Sequence, residues 1–488
     1  MIFDVILNTL RTEGASAAYT QDDGQTFSYN ELYKFVCNIY GYLLSKKTDG
    51  NVIVYGHKEV YMKACMLACS FAGITYIPVD SSTPEERVSD IINQAEPSLI
   101  FGDIETTFCK TVSSDEINRI MNRPVQTEIN EISLKPDDIC YMIFTSGSTG
   151  QPKGVKVTYS NLDSCIKWVK EITGSKKEVI LNQANFSFDL SVADFYLSLV
   201  TGSEHFIIGD ISGFDFSSIF RRLEKSGATI AVFTPSFADL LMLDRSFSAE
   251  LLPKLHTILF CGEKLSTKTV QKLFRRFPDL KIINSYGPTE CTFAVTSVLL
   301  TKDSVLEENI SIGSPKKDVE IIICDENLSP LPDGETGEIM IAGASVADGY
   351  LNNYGRKAFI EYDGRKAYLT GDLAYRQKGL LYYKSRKDNQ IKYKGYRIEL
   401  TDIESNLLKI DSVEEACVVA KRNKNGDVTG IFGFVKIKEN CSTDVQSIEK
   451  ELSSKLPLYM CPKVRIINDI PLTANGKRDV KKLSEEYI

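Results

Sequence analysis

Histidine is almost missing from this chain of 488 residues: there are three, His57, His205 and His256, far apart and without the spacing of metal ligands. Their scarcity argues against a histidine-built metal site and leaves the chemistry to carboxylates, lysines and the backbone. None of the twelve cysteines, from Cys37 to Cys461, stands in a CxxC pair. Cys65, Cys69 and Cys140 sit within apolar runs, so the thiols read as reduced core residues of a cytoplasmic protein. No apolar run reaches the roughly 18 residues a membrane helix requires. The opening "MIFDVILNTLRTEG" has neither a basic leader nor a small-residue cleavage site; Ile2, Val5, Ile6 and Leu10 recur at helical spacing and predict a packing helix. Basic charge is also short, because a net charge of -8 leaves no broad cationic face for nucleic acid.

What is present suffices for more than one core: 43% of residues are hydrophobic and 25% charged. Between residues 137 and 300 apolar runs alternate with helical patterns, as in a parallel sheet covered by helices. The strand candidates are "ICYMIF", "VILNQ", "TIAVF", "TILFC" and "KIINSY". Ser160 is expected to cap a helix with Leu162, Cys165, Ile166 and Val169 on one face. Open α/β sheets bind ligands beyond the carboxyl ends of their strands, so Asp189, Cys261, Tyr286 and Glu290, which follow strand candidates, are expected to face one crevice.

The charged stretch "SRKDNQIKYKGYRIELTDIE" marks a boundary, with a large domain over 1–387 and a small α+β domain over 388–488. Downstream, Thr401 and Glu404 match a capping box opening a helix with Ile403, Leu407 and Ile410 on one face. Strands at "EEACVVA" and "GIFGFVKI" and a helix at "VQSIEKELSSKL" complete the small domain.

The stretch "YMIFTSGSTGQPKGVKV", residues 141–157, holds the densest chemistry. Gly147, Gly150 and Gly154 let backbone N–H groups turn toward an anion; Thr145, Ser146, Ser148 and Thr149 supply hydroxyls, and Lys153 a positive charge. It is not a P-loop, because Pro152 precedes the lysine and a glycine follows it. Taken alone, such a loop is equally a flexible surface turn.

"YMIFTSGSTGQPKGV" resembles the phosphate loop of the adenylate-forming superfamily, which includes acyl-CoA synthetases, luciferases and the adenylation domains of nonribosomal peptide synthetases. "FSYNEL" and "AGITYIPVD" resemble the family's early motifs. "NSYGPTE", "GEIMIAGASVADGYLN", "YLTGDLAY", "SRKDNQIKYKGYRIEL" and "NGKRD" resemble the later ones, in the same order. "NQANFSFDLSVADFYLSLVTG", "TPSFADLLM" and "LFCGEKLS" look most like the D-alanine:D-alanyl carrier protein ligase branch. No carrier domain follows "NGKRD", so a separate carrier protein is expected.

The resemblance implies an α/β fold: a large N-terminal domain with parallel-rich sheets covered by helices, and a small mobile α+β C-terminal domain. It implies a reaction joining an amino acid carboxylate to the α-phosphate of ATP, then passing the acyl group to a phosphopantetheine thiol. A carboxylate is already ionised at neutral pH, so the first step needs alignment and charge neutralisation rather than a general base. Glu290 would hold Mg2+ with Thr289 beside the phosphate, and one carboxylate suffices for so hard an ion. Asp372 would bind the ribose, helped by Arg386, while Tyr286 and Gly287 flank the adenine. Asp189 would pair with the α-ammonium group; without the resemblance it reads as a helix N-cap.

By the same motifs the side-chain pocket comprises Leu190, Ala193, Val232, Leu259, Cys261, Ser285, Phe293 and Ala294, which favours a small or medium uncharged amino acid. The D-alanine branch often carries a larger methionine at the place of Ala193 and a smaller residue at that of Phe293, which leaves the side chain open. Lys477 would bridge the carboxylate and the α-phosphate. Asp388 matches the hinge, and Gly395 and Arg397 lie in the loop that lines the pantetheine tunnel. Lys387, Lys392, Lys394 and Arg397 offer a basic patch to an acidic carrier or form a solvated face. Two further readings stay open: an acid:CoA ligase, which Asp189 disfavours, and an inactive nucleotide-binding scaffold, which Thr149, Glu290, Asp372, Arg386 and Lys477 disfavour.

Overall fold

The apolar runs form strands where the alternation with helices predicted them: Ile139–Thr145, Val179–Asn182, Ile230–Phe233, Thr257–Phe260 and Lys281–Tyr286. The computed structural model describes the chain except residues 148–149, 175, 210–215, 307–308, 354–356, 424–425, 440, 472–477 and 488. It divides into two compact units. One comprises Met1–Asp80, Ala95–Ile143 and Gly154–Ser385; the other comprises Ser81–Gln94, Phe144–Lys153 and Arg386–Ile488. The second unit thus takes in the glycine-rich loop and most of the helix Glu85–Ala95, segments that a division at 387/388 assigns to the large domain.

In the first unit the last four of those strands lie parallel in a nine-stranded sheet, with Val232 in register with Asn182 and Leu259, and Leu259 with Ile283. Strands buried on both faces read as unbroken apolar runs, which is why the sequence shows them so plainly. Ile139–Thr145 belongs to a six-stranded sheet, parallel to Tyr76–Asp80 with Tyr141 opposite Tyr76. A third, antiparallel sheet contains the long strand Arg365–Gln377.

The second unit carries the hairpin Gln390–Tyr393 and Tyr396–Glu399, turned by Lys394 and Gly395 at φ 53° and 85°. Two successive positive φ values match the twist of the flanking strands. Val413–Arg422 and Val428–Ile437 pair antiparallel, Lys463–Ile466 adds a parallel strand, and the helices Leu400–Leu408 and Val445–Lys455 cover a core that includes Ile391, Ile403, Leu407, Val418 and Leu452.

Three local expectations are corrected. Val5 is exposed on the helix Ile2–Thr12; the buried face is Ile2, Phe3, Ile6, Leu7 and Leu10, which cluster at about 100° per residue while Val5 falls opposite. Thr158, not Ser160, caps the helix Tyr159–Thr173, because the preceding strand ends there in extended geometry and Asn161 completes the box. The helix Leu400–Leu408 starts before Thr401 and has no side-chain cap. Glu404 instead accepts from Val418 N–H at 2.8 Å and from Arg478 at 3.0 Å, tying the helix to its sheet. All twelve cysteines are free, Cys65, Cys69 and Cys140 fully buried, and no described helix is long and apolar enough to cross a membrane.

Candidate functional site

The helix Leu190–Thr201 opens at Asp189, which has αR geometry and makes no side-chain capping bond. The aspartate is therefore not spent on the helix end, as the structural reading of it required. Its charge bears on the Cys165 thiol, which burial pushes up to about 12; Lys316 opposes that rise while Asp189 and Cys261 add to it, and Ala294 gives Cys165 a backbone hydrogen bond. Asp189, Cys165, Cys261 and Ala294 thus share one neighbourhood. The expected pocket residues gather around the strand ends of the parallel sheet. Ala193, Val232, Leu259 and Ala294 are fully buried, and Leu190, Cys261, Ser285 and Phe293 nearly so. Ser285 Oγ donates to the Phe260 carbonyl at 2.7 Å, and Cys261 Sγ lies 3.9 Å from the Phe293 carbonyl oxygen.

Thr292 and Phe293 both have positive φ, 56° and 71°. Two consecutive non-glycine residues in that region are strained, most of all a β-branched threonine, and such strain collects at functional sites. Buried hydrogen bonds hold the bend, among them Thr292 Oγ1 to the Ser345 carbonyl at 3.0 Å. Gly287 lies against it: a Cβ there would stand 2.6 Å from Ala294 Cα and 2.9 Å from the Phe293 oxygen.

Elsewhere in this unit, Tyr286 Oη donates to Asp372 Oδ2 at 2.6 Å, with both residues buried. Thr289 and Glu290 form the turn Thr289–Cys291. Glu290 is fully buried, and its Oε1 accepts from Tyr350 Oη. Among the described residues no group of three metal-ligating side chains occurs. A single hard carboxylate suits Mg2+, which takes most of its shell from phosphate and water, and suits few other metals.

The second unit holds the other expected residues. In the glycine-rich loop, Gly150 N–H donates to the Gly147 carbonyl at 3.1 Å, and a Cβ on Gly147 would fall 2.1 Å from the Gln151 oxygen, so only glycine fits there. Thr145 Oγ1 is 3.5 Å from the Lys153 carbonyl, and Ser146 Oγ donates to the Arg397 carbonyl at 2.9 Å, bringing the loop onto the Gly395 hairpin. Glu399 has its carboxyl pushed up by burial, against the pull of Arg397 and Lys153. Arg386 grips Asp388 with two bonds, Nε to Oδ1 at 2.7 Å and Nη2 to Oδ2 at 2.8 Å. Ser148, Thr149 and Lys477 lie outside the described residues.

Sequence reasoning missed two buried charge clusters. In the second unit Arg87 pairs with the fully buried Asp402 at 3.3 Å, and Asn406 supports Asp402 at 3.0 Å. In the first unit, Lys63 Nζ donates to His205 Nδ1 at 3.1 Å and to Ser198 Oγ at 3.1 Å. His205 Nε2 then donates to Asp194 Oδ1 at 3.1 Å, and Asn182 reaches both Asp194 oxygens. Lys63, His205 and Asp194 are fully buried. Burial pushes the Asp194 carboxyl up and the Lys63 amine down to about 7. Asp194 is five residues after Asp189 on the same helix, so the cluster anchors the element that carries Asp189.

A family model described as AMP-binding enzyme matches residues 8–351, and one described as AMP-binding enzyme C-terminal domain matches residues 402–477. A D-alanine–D-alanyl carrier protein ligase of Bacillus cereus (strain AH187) is 41% identical over 452 residues, 89% of each chain. One of Bacillus velezensis is 39% identical over 481 residues, 95% of each chain. Among solved structures, the Vibrio cholerae adenylation domain AlmE in complex with glycyl-adenosine-5'-phosphate has a TM-score of 0.86 at 21% identity, covering 99% of this chain and 97% of that one. That likeness speaks to the fold, a mixed α/β architecture with a large N-terminal and a small C-terminal domain. With a family model spanning most of its length and relatives near 40% identity, the chain belongs to the AMP-binding enzyme family.

Proposed function

We propose that this enzyme activates an amino acid with ATP and loads it onto the phosphopantetheine arm of a separate carrier protein, with D-alanine or another small uncharged amino acid as substrate. The relatives near 40% identity carry the D-alanine–D-alanyl carrier protein ligase name. The observation that carries the reading is Asp189, a carboxylate at a helix start that caps nothing and lies among pocket residues. Near-complete burial of Ala193, Val232, Leu259, Phe293 and Ala294 supports a small side chain.

In the first step the substrate carboxylate oxygen bonds to the α-phosphorus of ATP and the bond to pyrophosphate breaks. In the second, the carrier thiol loses its proton to solvent, its sulfur bonds to the acyl carbon, and the acyl–oxygen bond breaks to release AMP. Asp189 holds the ammonium group, Asp372 and Tyr286 the nucleoside with Arg386 as helper, and the loop from Thr145 to Lys153 the phosphates. Lys477 bridges the carboxylate and the α-phosphate. Glu290, with Thr289 beside it, would hold Mg2+, whose charge would neutralise the phosphate oxygens. The Ser146–Arg397 bond supports a role for the Gly395 hairpin next to the loop, and Asp388 serves as hinge for residues 388–488. Lys387 and Lys394 are exposed and suit an acidic carrier. The free cysteines support a cytoplasmic setting.

Amino-acid-dependent ATP–pyrophosphate exchange over a panel of L- and D-amino acids tests this. Exchange with a small amino acid is expected. Acyl-CoA formation from simple acids with no amino-acid response would overturn it. A second reading, a peptide-synthetase-type enzyme for another amino acid, is favoured by Phe293, an aromatic ring in the expected pocket; exchange peaking away from D-alanine would select it.

A further inference from the structure

Tyr141 lies on the strand that runs into the glycine-rich loop, is 1% exposed, and its hydroxyl finds no hydrogen-bond partner among the described residues. Buried hydroxyls are nearly always bonded, because stripping one of water without replacement costs free energy. Its neighbours are not short of partners. The ring packs 5.6 Å from that of Tyr76, whose hydroxyl is 2.8 Å from Tyr196 Oη. Tyr196 lies on the helix that Asp189 opens. Two of these three buried tyrosines satisfy each other and the third is left over.

The leftover hydroxyl is close to charge. Burial above all pushes it up and the Asp189 charge adds to the rise, so it is a neutral phenol; it shares a buried cluster with Cys165, Leu190, Ala193 and Ala294, the surroundings of Asp189. An α-ammonium group has three N–H donors spread tetrahedrally, and one carboxylate does not saturate them. A neutral oxygen acceptor completes the set without adding a second negative charge to a buried site.

We propose that Tyr141 is a further substrate-binding residue, its hydroxyl accepting one N–H of the α-ammonium group that Asp189 pairs with; this rests on the amino acid reading above.

Tyr141→Phe removes the hydroxyl and keeps the ring. In pyrophosphate exchange the amino acid KM should rise about tenfold while the ATP KM stays within about twofold. The thermal midpoint should hold or rise, because the hydroxyl makes no hydrogen bond to a described protein group. An unchanged amino acid KM, a parallel rise in both KM values, or a lowered midpoint without a selective KM change overturns the inference. Absence of amino-acid-dependent exchange in the unmodified enzyme overturns the functional reading and this inference with it, whereas exchange in both proteins at the same amino acid KM overturns the inference alone.

Discussion

Tyr286 donates its hydroxyl hydrogen to Asp372 at 2.6 Å and so joins the end of the parallel sheet to the long strand of the antiparallel one. A hydrogen bond to a charged group is worth about 1.5–3 kcal/mol. Tyr286→Phe should lower stability by about that amount in urea denaturation and, if Asp372 binds the ribose as proposed, raise the ATP KM at least about tenfold, because the carboxylate loses the bond that orients it. Unchanged values for both would detach the pair from nucleotide binding.

Asp189→Ala should cut amino-acid-dependent exchange by about two orders of magnitude or more. A stability loss near 1 kcal/mol with near-normal turnover would instead mark a helix cap.

The Lys63–His205–Asp194 chain makes a pH-dependent contribution whose sign can be worked out. Burial holds the folded Lys63 amine near 7, against about 10.4 in an unfolded chain. Between those values the unfolded chain binds a proton that the folded chain does not, so this lysine makes stability rise with pH over that window. Below it both forms are protonated and the cost of burying the charge is fully felt. The stability of Lys63→Met relative to the parent should therefore be most favourable below about pH 7 and decline toward pH 9 in chemical denaturation. Asp194→Ala, which leaves the buried His205 Nε2–H without its acceptor, should cost about 1–3 kcal/mol.

Arg386 and Asp388 are paired two residues apart, and although burial pushes the Asp388 carboxyl up, Arg386 holds it below its ordinary value. Asp388→Pro fixes one backbone angle as well as removing the carboxylate's bonds to Arg386 and to Gln390 N–H, whereas Asp388→Ala removes only those bonds. If residues 388–488 swing between steps, the proline variant should impair one half-reaction about tenfold more than the other, measured as adenylate formation and as transfer from preformed adenylate. Equal losses in both would count against a hinge here.

Legibility in the sequence followed the range of the interactions. The parallel strands were readable because both faces are buried, and with them the positions of Cys261, Tyr286 and Glu290 at or just past strand ends. Helix starts shifted by one or two residues where tertiary contacts outbid local chemistry, as with Glu404, which leaves the capping box to meet Val418 and Arg478. Lys63, Asp194 and His205 were invisible because three distant segments meet only in the fold, and a lone buried lysine has no local signature. The unmet hydroxyl of Tyr141 is likewise a property of its surroundings, since a tyrosine within an apolar strand is otherwise unremarkable.

The contact between Gly287 and the Phe293–Ala294 backbone presses the turn proposed for the nucleotide and the wall proposed for the amino acid pocket back to back, with no room for even a methyl group. Rerouting that wall would displace the turn behind it. Under the proposed function, changes in substrate preference are open to side chains such as Ala193 and Cys261, whereas the main-chain path at 287 and 294 leaves no room to move.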